Sequence, residues 1–146
     1  MRHAPATIAI IIALITMSSR ASAQTGTSGL REISRYALTL FAIDNAVLGP
    51  ADERLLIEEI LPDIHPTSVV TITGYTDVIG LEDRNLALSR QRAEGVAKRV
   101  RREKGPRGYQ QMIVRGVGES SPLYSNQLPE GRFLNRTVQI EIDTRF

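Results

Sequence analysis

Apolar positions along this chain recur with two periods, and the points where one gives way to the other divide it into alternating strands and helices. Tyr36 to Phe41 alternates, with Leu38 and Leu40 on one face, and Ile43-Asp44-Asn45 ends that strand in a turn. Gly49-Pro50 opens a helix, because proline at the first helical position loses no hydrogen bond. Asp52 and Glu53 in its first turn suit the positive end of the helix dipole. Leu56, Ile57, Ile60, Leu61 and Ile64 form a stripe that has to be buried, and Pro62 breaks or kinks the run. Val69 to Thr73 is β-branched and alternating, so it reads as a second strand, closed by Gly74. A loop from Tyr75 to Gly80 feeds a long helix from about Leu81 to Lys104, which Gly105-Pro106 stops. Met112 to Val117 is the third strand, Ser120 to Phe133 a polar loop, and Val138 to Asp143 a cleanly alternating last strand.

This succession predicts an α/β two-layer sandwich of βαβαββ type, with two helices on one side of a mixed four-stranded sheet. The clean alternation of the last strand indicates one sheet face in a core and the other toward water. Ahead of the first strand, Gln24 to Arg35 is small, polar and without a period, and reads as a flexible lead-in.

The start of the chain follows a different rule. Met1, Arg2 and His3 precede an uncharged apolar run from Thr7 to Met17, and Ala21-Ser22-Ala23 follows. That is the pattern of a secretory signal peptide over residues 1–23, cleaved before Gln24, and it predicts a periplasmic protein. An uncleaved N-terminal anchor is the alternative, although the run is short of the roughly 20 residues a span needs. With no cysteine in the 146 residues, neither disulfides, thiolate ligands nor a lipid-modified cysteine enters the picture.

Charge narrows the partners. The chain carries 18 Lys and Arg against 16 Asp and Glu, but Arg2 and Arg20 account for the whole excess, so the rest is balanced. Overall charge therefore gives a nucleic-acid partner no support. His3 and His65 lie far apart, which leaves little for a metal site or a His-based triad, and no cofactor is expected. No nucleophile sits beside a usable base and no phosphate-loop pattern occurs, so the expectation is a non-enzyme.

The informative chemistry lies between Gly74 and Val96. At 100° per residue, Asn85, Ser89, Arg92 and Val96 fall within roughly 60° of one another, while Arg90, Glu94, Lys98 and Arg101 fall opposite. Arg92 thus faces the body of the protein, where a guanidinium needs an acceptor to offset its desolvation. Asp77, in the loop feeding the helix, is one candidate. Two readings stand side by side: an internal Asp77–Arg92 ion pair that fixes the loop, or two groups flanking a gap and binding opposite ends of a zwitterion. Arg92 lies about 16 Å along the axis from the helix start, so either reading needs the loop to fold back along the helix.

Taken together, Gly74-Tyr-Thr-Asp77-x-x-Gly80, Asn85-x-x-Leu88-Ser89-x-x-Arg92-Ala93-x-x-Val96, Gly116-x-Gly118-Glu119-x-x-Pro122, Asn126, Glu130-Gly131-Arg132 and Asn135-Arg136 resemble the OmpA-like C-terminal domain. That family includes outer-membrane protein A, the peptidoglycan-associated lipoprotein and MotB, and the resemblance runs over about Tyr36 to Asp143. It implies non-covalent binding of the peptidoglycan stem peptide through meso-diaminopimelate, with Asp77 taking the ammonium and Arg92 the carboxylate. It also places Asp44, Asn85 and Arg136 in or near the pocket, within a domain spanning 36–146. Each has a plainer reading: Asp44 as a turn former, Asn85 as a ligand of loop carbonyls, and Arg136 as a structural ion-pair partner. Two positions depart from the family pattern, Thr137 in place of a second arginine and Tyr75 in place of histidine. An alternative function on the same fold is a periplasmic adaptor that joins an envelope protein complex through the basic series Lys98 to Lys104.

Overall fold

The computed structural model describes residues 29–39 and 41–146. The expected signal peptide at 1–23 and Leu40 lie outside the described residues. Four strands, β1 (Arg31–Leu38), β2 (Ser68–Gly74), β3 (Gln111–Gly116) and β4 (Val138–Arg145), form one sheet in the order β1-β4-β2-β3. β4 is antiparallel to both of its neighbours, and β2 and β3 are parallel. A parallel pair needs a long crossover, which is supplied by α2 (Glu82–Lys104).

Alternation decides which face of the sheet is covered. Val138, Ile140 and Ile142 of β4, Val70 and Ile72 of β2, and Leu38 of β1 are all buried. Against them pack Ala93, Val96, Ala97 and Val100 of α2, spaced by three and four residues along one helix stripe. Each large aliphatic removed from water here contributes about 1.5–3 kcal/mol, so this interface holds the two layers together. Gly74 and Gly116 make the approach close. A Cβ at Gly74 would sit 1.9 Å from the Ser89 carbonyl oxygen, and one at Gly116 would sit 2.4 Å from the Arg90 nitrogen.

The first helix, α1 (Pro50–Leu55), continues as a wider π-turn segment over Leu56–Ile60 and a 3-10 turn over Leu61–Asp63. Proline at position 62 cannot donate to the carbonyl of Glu58, and the helix ends one residue later. Leu56, Ile60, Leu61 and Ile64 reach the core as expected, whereas Ile57 is turned outward at 39% exposure.

Two expectations are corrected. First, the segment read as a flexible lead-in to Arg35 is already strand from Arg31, and that strand ends at Leu38. Its first core-side positions, Glu32 and Ser34, are polar and the outward face carries Ile33 and Ala37, so no hydrophobic alternation shows there. Arg31 grips Asp143 with two bonds of 2.8 Å and Arg35 bonds Glu141 at 2.7 Å, so charge pairs stand where apolar contacts were sought. Such charges are common on an edge strand. Second, the polar loop from Ser120 to Phe133 contains the start of a third, short helix, α3 (Pro129–Asn135). Asn135, fully buried, explains it: its amide bonds the backbone of Leu123 and Tyr124 and the side chain of Asn126, folding the loop around itself.

Phe146 N donates to Leu30 O at 2.8 Å, so the entry to β1 and the exit from β4 share one end of the sheet. At the opposite end lie the close of β1, β2 and β3 and the start of β4. The loops there build the site.

Candidate functional site

A cleft of about 180 Å³ opens at that end, and its lining includes Asp44, Asp77, Asn85, Arg92 and Arg136. All five residues singled out from the sequence therefore meet in one place. The turn after β1 brings Asp44, the loop after β2 brings Asp77, α2 brings Asn85 and Arg92, and the residue following α3 brings Arg136.

Arg92 is the anchor. Only 1% exposed, it donates from Nε to the Asn45 carbonyl (2.8 Å), from Nη2 to that of Ala42 (2.9 Å) and from Nη1 to that of Tyr75 (3.3 Å). Its guanidinium also lies over the Phe41 ring, 5.2 Å from the centroid. Burial pushes its pKa down to about 10, the neighbouring Arg136 adds to the fall, and Asp77 and Asp44 oppose it. The group stays charged at neutral pH. Three of its five N–H donors are used on carbonyls, which leaves two for another acceptor.

The internal Asp77–Arg92 ion pair, one of the two sequence readings, is not what forms. Asp77, 5% exposed, is paired instead with Arg136, whose Nη1 donates to Oδ2 at 2.9 Å. Its other oxygen accepts from Ile79 N at 3.1 Å, closing the loop on itself. The Arg136 guanidinium stacks 5.2 Å above Phe133, and its Nε is buried without an acceptor. Arg92, Arg136 and Asp77 thus line one cleft, with Arg136 and not Arg92 paired to the carboxylate.

The plainer readings of Asn85 and Asp44 are realised alongside their place in the wall. Asn85 Nδ2 donates to the carbonyls of Asp77 and Ile79, both at 3.2 Å, and to the Glu119 carboxylate. It therefore shapes the loop that carries Asp77. Asp44 sits in the turn with φ +54, a left-handed conformation that aspartate tolerates better than most residues. Arg92 holds both sides of that turn, through Ala42 and Asn45.

Two polar lining residues were given no role from the sequence. Arg84 pairs with Asp44 at the cleft mouth; one turn before Leu88 on a polar helix face, it carried no signal of its own. Thr76 Oγ1 is buried without a partner, and its place in the Gly-Tyr-Thr-Asp succession was the available hint. The two departures from the family pattern leave the lining untouched. Thr137 is buried and donates to the Leu38 carbonyl (3.0 Å), and the Tyr75 hydroxyl reaches Gln139 rather than the cleft.

The basic series on α2 is largely compensated. Arg99 pairs with Glu53 and Glu103, Arg101 with Glu94, Arg102 with Glu103, and Lys104 donates to the Ile64 carbonyl. Among the described residues no group of acidic, histidine or cysteine side chains is arranged to hold a metal ion, and no helix is long and apolar enough to cross a membrane.

Comparison with known proteins places these features. The model of the OmpA family matches residues 40–136. The peptidoglycan-binding protein ArfA of Mycobacterium tuberculosis is 41% identical over 105 residues, which cover 70% of this chain and 31% of that protein. The chain thus spans about a third of the length of this relative. Among solved structures, the cell wall anchor of the T6SS from Pseudomonas aeruginosa is similar with a TM-score of 0.60 and 27% identity, covering 79% of this chain and 82% of that one. The peptidoglycan-associated lipoprotein from Burkholderia pseudomallei shares the fold with a TM-score of 0.62 at 24% identity, covering 73% and 88%.

Proposed function

We propose, from the premise that this chain belongs to the OmpA family, that it binds peptidoglycan non-covalently in the cell envelope through the cleft of Asp77 and Arg92. One observation carries the reading: an anionic and a cationic group, both nearly fully buried, line one cleft without being paired to each other. A buried guanidinium and a buried carboxylate held apart in this way fit the two ends of a zwitterion, and the diaminopimelate of the stem peptide presents one. The names of ArfA and of the T6SS anchor, which speak of peptidoglycan and of the cell wall, support the same ligand class.

The chemistry follows from the geometry. The ligand carboxylate takes the two free N–H donors of Arg92, in a planar, charge-assisted arrangement. Its ammonium takes Asp77, while Arg136 swings from Asp77 toward the carboxylate and Thr76 Oγ1 gains a partner. Each charge-assisted bond contributes about 1.5–3 kcal/mol, against the cost of immobilising the ligand and separating the Asp77–Arg136 pair. The outcome is a reversible tether in which no covalent bond changes.

Sedimentation with isolated sacculi tests this. The wild-type protein is expected in the pellet, and Asp77→Asn, which keeps the shape of the side chain while removing its charge, in the supernatant. Equal sedimentation of the two, with circular dichroism showing both folded, would refute the assigned site.

A further inference from the structure

The two edges of the sheet are not alike. An edge strand exposes a row of unpaired backbone groups, and folds guard it with charge, proline, bulges or a covering element. On β1 the guard is charge, since Arg31 and Arg35 stand on its outward face, held by Asp143 and Glu141 of β4. β3, at the other end of the strand order, carries a single charge, Arg115, with no proline and no break in its register with β2. Met112, Ile113 and Val114 make it apolar on both faces, the pattern of a central strand rather than of an edge. Yet no residue of β3 is buried, against four of seven in β2 and four of eight in β4. Its outer side is therefore uncovered.

The free backbone groups can be assigned. Gln110 N donates to Ser68 O of β2 at 2.8 Å. Hydrogen-bonding direction alternates along a strand, so Met112 and Val114 also turn toward β2, and the N–H and C=O groups of Gln111, Ile113 and Arg115 point away from the sheet. Two copies of this edge run antiparallel can be opposed only with side chains of the same face together, which restricts the register to steps of two residues. Centring on Ile113 opposes Gln111 to Arg115, Ile113 to itself and Arg115 to Gln111. Every outward group of the strand then meets another, the apolar side chain meets its like, and the one cation meets a neutral amide. A shift of two residues either way leaves Gln111 or Arg115 without a partner in the strand.

We propose that β3 is a self-association edge, through which two copies of this chain pair antiparallel about Ile113 and join two four-stranded sheets into one of eight. β3 runs toward the cleft, so the second copy turns its own cleft to the opposite end, and the pair presents two clefts facing apart. The association does not depend on what the cleft binds. A strand pair of six residues covers less than the roughly 1,200 Å² of a standard interface, so the dimer is weak and forms as concentration rises.

Sedimentation equilibrium from about 10 to 500 µM tests it, the range in which an interface of that class associates. Wild-type protein is expected to shift from monomer to dimer and no further. Ile113→Lys, which sets two ammonium groups opposite each other, is expected to stay monomeric at every concentration with the circular dichroism spectrum of the wild type. The chain has no cysteine, so introduced cysteines report the register directly. Opposed residues of a hydrogen-bonded pair stand about 5.5 Å apart at Cα, inside the roughly 4.4–6.8 Å that a disulfide spans. Ile113→Cys alone, and an equimolar mixture of Gln111→Cys with Arg115→Cys, are expected to give disulfide dimers under mild oxidation, whereas Arg115→Cys alone is not. A protein that is monomeric throughout the range, a dimer that survives Ile113→Lys, or cross-linking of Arg115→Cys alone as fast as Ile113→Cys overturns the proposal. So does growth beyond the dimer, the result expected if the edge takes any extended strand.

Discussion

Arg92 shows how far single residues were legible. Helical spacing placed it on the inward face, and it is among the largest fully buried side chains described. Its partners were not legible, because backbone carbonyls of Ala42, Asn45 and Tyr75 leave no trace in side-chain identity. Asp77 was likewise found, yet its partner Arg136 lies 59 residues away and meets it through the tertiary fold alone. Arg92→Ala is therefore expected to lose sacculus binding and, separately, about 2–4 kcal/mol of stability, since a fully buried side chain is removed and three backbone carbonyls lose its donors. Urea denaturation measures the second effect. A variant as stable as wild type would show that the guanidinium does not hold the Asp44 turn. Asp77→Asn, which keeps the Ile79 N–H acceptor, should cost less.

Among elements, the long helix and strands β2, β3 and β4 were readable because burial imposes a period on them. β1 was half hidden: its first core-side positions, Glu32 and Ser34, are polar, so its true start at Arg31 has no apolar mark. α3 was missed because seven residues are too few to display a stripe, and a buried asparagine, not an apolar face, organises it. The β1 charge pairs carry a pH signature. The Arg31 guanidinium holds the Asp143 carboxyl below its usual range. A depressed carboxyl stabilises the fold above the unfolded pKa of about 3.9, and that contribution disappears as pH falls through the lower folded value. Thermal melts should show Asp143→Asn less stable than wild type at pH 6, with the gap closing below about pH 4. A gap independent of pH would exclude the ion pair as its source. The contact of β2 with α2 gives a larger effect. Gly74→Ala sets a methyl against the Ser89 carbonyl, so a loss of about 3 kcal/mol or failure to fold is expected, read by chemical denaturation.

At the scale of the whole molecule, a chain of balanced charge beyond its first residues folds into a unit that relatives carry as a fraction of their length. The sequence disclosed the layer order of that unit, but not the direction in which it faces. Strand entry and exit meet at Leu30 and Phe146, and the cleft opens at the far end, about 24 Å away along the eight residues of β1. Suppose a ligand fixed in the wall occupies the cleft while tension arrives through the backbone preceding Arg31. The force then runs parallel to β1 and loads the β1–β4 ladder in shear, so that its hydrogen bonds resist together. Tension applied between residues 29 and 146 would instead peel the same ladder open one pair at a time. Single-molecule pulling should record a markedly higher rupture force in the first geometry than in the second, making the domain strongest along the line on which a wall tether would be strained.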